Sequence, residues 1–135
     1  MTDVIVDTSA WIASFRASTQ PVLLKTMREL IGAGCILVPG IIQAELLRGA
    51  KNAKEVQSLY SVLSSQRYMR VEEPFWRRLG YFTNQLFLQG INVPLPDAYI
   101  ALLAIENDVE LLHYDRHFDL IAGKTKLKVF KLPGQ

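Results

Sequence analysis

Short aliphatic runs separated by segments of helical spacing constrain this chain more than any other feature. Val4, Ile5 and Val6 form the first run, residues 35–38 the second, Glu110-Leu111-Leu112 a third, and residues 127–130 the last. Runs this short are typical of strands, and the lack of a clean apolar–polar alternation marks them as covered on both faces. Between them lie helical patterns. Thr8 and Ser9 offer an N-cap for a short helix through Trp11, Ile12 and Phe15. Residues 21–31 place Val22, Leu23, Met27, Leu30 and Ile31 at helical intervals, and Gly32 and Gly34 stop them. Residues 41–48 form the next helix, ended by Gly49, and residues 53–64 a polar-faced one. Val71 closes a weak strand or link, and Pro74 suits the first turn of a helix reaching Leu88. A nearly all-apolar helix over residues 96–105 implies a central, buried position. This alternation predicts an α/β fold, with a short, mostly parallel central sheet and helices on both faces. At 135 residues the chain is read as a single domain spanning residues 1–135, with no repeat, low-complexity segment or linker.

The charge balance is nearly even, 15 basic against 13 acidic residues for a net charge of +2, so no overall basic field marks a nucleic-acid partner. If several acids share one cleft, the rest of the surface is more basic than the total implies. The single cysteine, Cys35, lies in GCILV and reads as a buried structural thiol with no internal disulfide to form. No segment has the length and apolarity of a membrane span, and the N-terminus lacks the pattern of a signal peptide. A reducing, cytoplasmic compartment is the expectation.

Four acids stand inside or beside apolar runs: Asp7 in VIVDTSAW, Glu45 in IIQAELLRG, Asp97 in PLPDAYIAL and Asp115 in LLHYDRHF. An ionised carboxylate in apolar surroundings is costly unless hydrogen-bonded, protonated or bound to a cation. Matching Lys or Arg residues are scarce in the same runs, which favours a cation. Asp7 and Asp115 follow strands at their carboxyl ends, where open parallel sheets bind ligands at the reversal of strand order. Glu45 lies on the helix leaving the second strand, and Asp97 in the first turn of the central helix. One cleft above the sheet can collect all four. Oxygen donors without Cys or a dominant His point to Mg²⁺ or Mn²⁺ rather than zinc, and so to phosphodiester chemistry. Taken singly, Asp97 and Asp115 read equally well as helix caps, Glu45 as a surface residue, and Asp7 as a strand-end cap. The joint pattern is what favours a site.

The order VIVDTSAW, an AELLRG helix, PLPDAYIAL and a late YDRHF resembles the PIN-domain family, and within it the VapC-type toxins of toxin–antitoxin pairs. The resemblance spans nearly the whole chain. It implies a doubly wound α/β domain and a metal-dependent endoribonuclease cleaving RNA as the toxin of such a pair. It places Asp7, Glu45, Asp97 and Asp115 on the family's catalytic, metal-binding acidic positions. It also implies a homodimer held inactive by a cognate antitoxin, whose C-terminal segment wraps the toxin and sets a basic side chain at the acids. Two departures bear on the fourth acid. HYDRHFD stands where relatives often have Thr before the acid, and Asp119 is a second candidate beside Asp115. The alternatives are a nuclease of this fold acting in RNA processing without an antitoxin, and a catalytically inactive interaction module.

Other signals are weaker. Gly123-Lys124-Thr125 matches the end of a P-loop, but Phe118 stands where its first glycine belongs. Asp7-Thr8-Ser9 lacks the second Asp of an aspartate-nucleophile phosphatase. His113 and His117 form no zinc-protease motif and read as polar residues at the site rim. Thr8 and Ser9 are read either as helix caps or as partners of a phosphate or a ligand carboxylate. Trp11, Phe15, Phe82, Phe87 and Tyr99 read as core or interface, and Arg48 as a phosphate-binding candidate.

Overall fold

In the computed structural model, residues 2–16 and 18–134 are described. The chain runs β1 (Val4–Val6), α1 (Thr8–Phe15), α2 (Pro21–Gly32), β2 (Ile36–Pro39), α3 (Gly40–Arg48), α4 (Ala53–Ser64), β3 (Arg67–Met69), α5 (Glu73–Leu88), α6 (Leu95–Glu106), β4 (Glu110–Leu112), α7 (Arg116–Ala122) and β5 (Lys128–Val129). All pairings in the five-stranded sheet are parallel, in the order β3-β2-β1-β4-β5. Parallel neighbours need crossover connections, and the intervening helices supply them.

β1 is the centre of the sheet. Val4 faces Ile36 on one side and Glu110 on the other, and Ile5 faces Leu37 and Leu111. Its three residues are at most 1% exposed, which explains a strand with no polar face. The chain builds outward from β1 through β2 to β3, then returns to β1's other edge as β4 and β5. Strand order therefore reverses between β1 and β4, and their carboxyl ends frame a crevice.

α6 is apolar nearly all round because it is covered all round: residues 98–104 are all buried. It packs against α5, where Phe75 meets Tyr99 edge-on at 5.2 Å between ring centroids. Arg78 on α5 grips Glu106 at the far end of α6 with two hydrogen bonds, of 2.7 and 3.0 Å. Trp11, Phe75, Phe118 and Ile100 are among the largest fully buried side chains of the core. Between α2 and β2 the chain turns through Gly34 at φ +67°, a left-handed conformation that a residue with a Cβ adopts only with strain.

Most expected elements stand where the sequence places them, within a residue or two. β3 differs: it occupies Arg67–Met69, short of Val71. It is an edge strand with two exposed residues, so its apolar signal is weak and displaced. The last strand is limited to Lys128–Val129. Cys35 is buried as expected. Trp11 and Tyr99 are in the core, whereas Phe15 and Phe87 are 51% and 64% exposed. No helix among the described residues is long and apolar enough to cross a membrane.

Ile100 is fully enclosed in α6, so Ile100→Ala should lower stability by about 2–5 kcal/mol through lost burial and a residual cavity. Phe87→Ala, at an exposed site, should shift it by less than about 0.5 kcal/mol. Urea unfolding of the two variants against the parent checks both figures.

Candidate metal centre

Asp7 is the first residue past β1. Its backbone N–H donates to Leu112 O at 2.9 Å, extending the β1–β4 ladder by one rung into the crevice. The chain then turns into α1, and the Asp7 carboxylate caps it. Oδ2 accepts from Ser9 N at 3.0 Å and from Ser9 Oγ at 2.5 Å. Charge-assisted bonds of this kind are what make a carboxylate only 5% exposed tolerable. Both fall on Oδ2, leaving Oδ1 outside them. Ser9 Oγ also accepts from Tyr114 N at 2.9 Å and so ties the β1–α1 turn to the segment after β4.

Glu45 approaches from α3, half-buried. Its Oε1 accepts from Thr8 Oγ1 at 2.8 Å, which links it to the residue following Asp7. Thr8 and Ser9 thus each bond an acid through the side chain, and Ser9 also donates its backbone N–H to the capping carboxylate.

Asp97 and Asp115 meet across the crevice. Asp97 lies in the first turn of α6 with its side chain 15% exposed. Asp115 caps α7, its Oδ1 accepting from His117 N at 2.9 Å. The His117 ring sits between them, with Nδ1 2.9 Å from Asp97 Oδ2 and 3.2 Å from Asp115 Oδ1. Oxygens of the two carboxylates and a ring nitrogen of His117 lie within 4.8 Å of one another, the spacing of a shared coordination sphere.

Burial raises the Asp97 pKa above the ordinary carboxylate value. The hydrogen bond from His117 opposes that shift, while the charges of Asp115 and Asp7 add to it. The cluster within 4.8 Å is Asp97, Asp115 and His117; Asp7 and Glu45 lie outside it, Asp7 still near enough for its charge to raise the Asp97 pKa. Glu45 bonds Thr8, the residue after Asp7. Among the described residues no Lys or Arg forms an ion pair with any of the four; Arg67, Arg78, Lys25 and Lys128 pair with acids elsewhere.

The structure separates the two late acids. The Asp119 side chain is 68% exposed and faces His113 Nε2 at 3.4 Å without completing a hydrogen bond. Asp115 is the one beside Asp97. The histidines are not the rim residues the sequence suggests. His113 has a side chain 5% exposed, packs on Phe118, and accepts the Asp115 backbone N–H at Nδ1. His117 bridges two of the acids. The only signal in the sequence was its position two residues after Asp115 at a helix start, a spacing shared by many helix caps. Arg48 is exposed, with no ion pair to the four acids among the described residues.

The PIN-domain family model matches residues 4–124. The chain belongs to the PIN-domain family. Among curated relatives, this PIN domain is 29% identical over 129 residues to VapC ribonuclease Mb1587 of Mycobacterium bovis, covering 93% of this chain and 96% of that one. Among solved structures it is similar to VapBC2 from Rickettsia felis bound to a DNA fragment from their promoter, at a TM-score of 0.78 and 18% identity, covering 97% of this chain and 99% of that one. A toxin–antitoxin complex from Klebsiella pneumoniae gives a TM-score of 0.65 at 20% identity, covering 93% and 95%.

The raised pKa of Asp97 fixes the sign of a pH effect. Its ionised form is penalised in the folded chain, so the penalty is present above its folded pKa and gone below the ordinary carboxylate value. Asp97→Asn mimics the protonated state. Without added metal it should melt at a higher temperature than the parent at neutral pH, and the advantage should vanish as pH falls through the carboxylate range. Thermal melts of both proteins across that range measure it.

Proposed function

We propose that this PIN domain is a Mg²⁺- or Mn²⁺-dependent endoribonuclease acting as the toxin of a toxin–antitoxin pair. The observation that carries the reading is the cluster of Asp97, Asp115 and His117 at the point of strand reversal, with Asp7 at the end of β1 beside it and Glu45 bonded to Thr8, the residue after Asp7. The described residues fit a hard divalent ion: carboxylate oxygens predominate, no Lys or Arg neutralises them, and Asp97 is strained toward its protonated form. Family membership and a curated relative named as a ribonuclease supply the reaction class.

In this reading Asp7 and Asp97 are the primary ligands, with Glu45 and Asp115 acting through water or completing a second site. A bound divalent ion orients and acidifies the attacking water and offsets charge on the phosphate and leaving oxygen. Ser9 keeps Asp7 turned into the crevice by donating to Oδ2, and Thr8 does the same for Glu45. Burial of Asp97 and Asp7 limits competing water around the scissile phosphate.

The partner follows from the same geometry. A groove of about 640 Å³ is lined by apolar Ile12, Phe15, Leu46, Leu59 and Val62 and by charged Arg16, Glu45, Lys51 and Glu55. It suits the apolar face of an amphipathic antitoxin segment. A Lys or Arg at the end of that segment would replace the ion's charge beside Glu45 and block phosphate entry. A homodimer belongs to the same proposal: Tyr60 and Val62 on α4 remain 51% and 37% exposed.

The deciding experiment is cleavage of a mixed single-stranded RNA by the purified chain. Cleavage should need Mg²⁺ or Mn²⁺, stop in EDTA, and fall at least about a hundredfold in Asp7→Asn and Asp97→Asn with circular dichroism unchanged. Undiminished cleavage in chelator would remove the acids from catalysis. Co-expression with the product of an adjacent small gene should yield a complex without activity, and light scattering at micromolar concentration should find dimers. Free activity in that mixture, or monomer alone, would overturn the respective partner.

A further inference from the structure

We propose that His117 is itself a ligand of the metal, giving Nδ1 as a nitrogen donor beside Asp97 and Asp115, and that the site therefore selects Mn²⁺ over Mg²⁺. The inference rests on the metal-site reading above and names a donor that the four acids do not include. An octahedral ion with bonds of about 2.1 Å holds adjacent donors about 3.0 Å apart. His117 Nδ1 lies 2.9 Å from Asp97 Oδ2 and 3.2 Å from Asp115 Oδ1. The nitrogen that now bonds Asp97 is therefore spaced from both oxygens as an adjacent donor would be.

The surroundings hold it there. The His117 backbone N–H is fixed by Asp115 Oδ1, so the ring hangs from a helix start anchored by the carboxylate it would serve with. The bond to Asp97 Oδ2 uses a proton on Nδ1, which an entering ion would displace; the side chain is 32% exposed, so Nε2 is open to solvent and can carry the ring proton while Nδ1 gives its lone pair to the ion. The other histidine is committed elsewhere: His113 Nδ1 accepts the Asp115 backbone N–H. That bond braces the turn presenting Asp115 and His117, as outer partners of metal ligands commonly do.

Selectivity follows from donor chemistry. Mg²⁺ favours oxygen ligands and gives up its water reluctantly. Imidazole is a better donor to first-row transition ions than to Mg²⁺, and Mn²⁺, the weakest binder of that series, is the one that also suits carboxylate oxygens. A set of carboxylates alone distinguishes the two ions poorly; one imidazole shifts the preference toward Mn²⁺.

The test needs no RNA. Electron spin-echo spectroscopy of the full chain loaded with Mn²⁺ should show the nitrogen coupling of a directly bound imidazole. His117→Ala and His117→Gln should both lose it while Mn²⁺ still binds. By calorimetry the two variants should bind Mn²⁺ about 10–100-fold more weakly, with Mg²⁺ affinity falling less than about threefold. The Gln variant keeps a side chain able to reach Asp97, so it guards against loss of fold in the Ala variant. Mn²⁺ bound without nitrogen coupling in the parent, or coupling that survives in either variant, would overturn His117 as a ligand and leave the carboxylate site standing. A parent that binds no Mn²⁺ would overturn both.

Discussion

The burial of carboxylates at the end of a buried strand is the constraint around which this site is organised. Asp7 must leave β1 at a depth where water is scarce, and Asp97 must open α6 within reach of its charge. Among the described residues neither pairs with a Lys or Arg. Each is held instead by helix-start hydrogen bonding, with Ser9 on Asp7 and His117 bridging Asp97 to Asp115. The rest of the fold supplies the rigidity that keeps like charges close. β1 is clamped on both edges, α6 is wrapped on all sides, and α5 is fastened to its far end. Without that enclosure the acids would be held only by the His117 bridge between Asp97 and Asp115 and the Thr8 bond to Glu45.

Much of this was legible in the residues because the physical signals were local. β1 announces itself by a β-branched run ending at Asp7, β4 by a short apolar pair after a turn, and α6 by a stretch with no polar face. Asp7 and Asp97 stood out because a carboxylate beside such runs needs a reason. Glu45 was legible from its place on the helix after β2, although the Thr8 hydroxyl that joins it to the crevice was not. The choice between Asp115 and Asp119 turned on which one begins a helix and which one rides its exposed face, four residues later.

What the residues concealed was tertiary. β3 carries exposed Arg67 and Tyr68, so its pairing with β2 depends on backbone bonds that leave no apolar trace. His113 and His117 are four apart in one loop-to-helix segment, yet one is buried against Phe118 and the other lies over two acids. Helical spacing places such residues on one side of the chain. Here the helix begins only at Arg116, so the spacing does not apply. The exposed Phe15 and Phe87 show the converse: helical periodicity identifies a stripe but not the neighbour that covers it.

The Ser9 hydroxyl receives a hydrogen bond from a backbone amide 105 residues further along the chain. It is the point at which the earliest and latest parts of the crevice are joined. On a ribosome, β1 emerges with β2 ready to pair on one edge, but the other edge waits for β4. At about 5–20 residues per second, that wait lasts on the order of 5–20 s. Throughout it, Asp7 lacks Asp115 opposite, and no nascent fragment that stops short of Asp115 carries the full set of acids. A chain wired in this order is born without its chemistry, and can acquire it only after the turn that carries Tyr114 and Asp115 has been made.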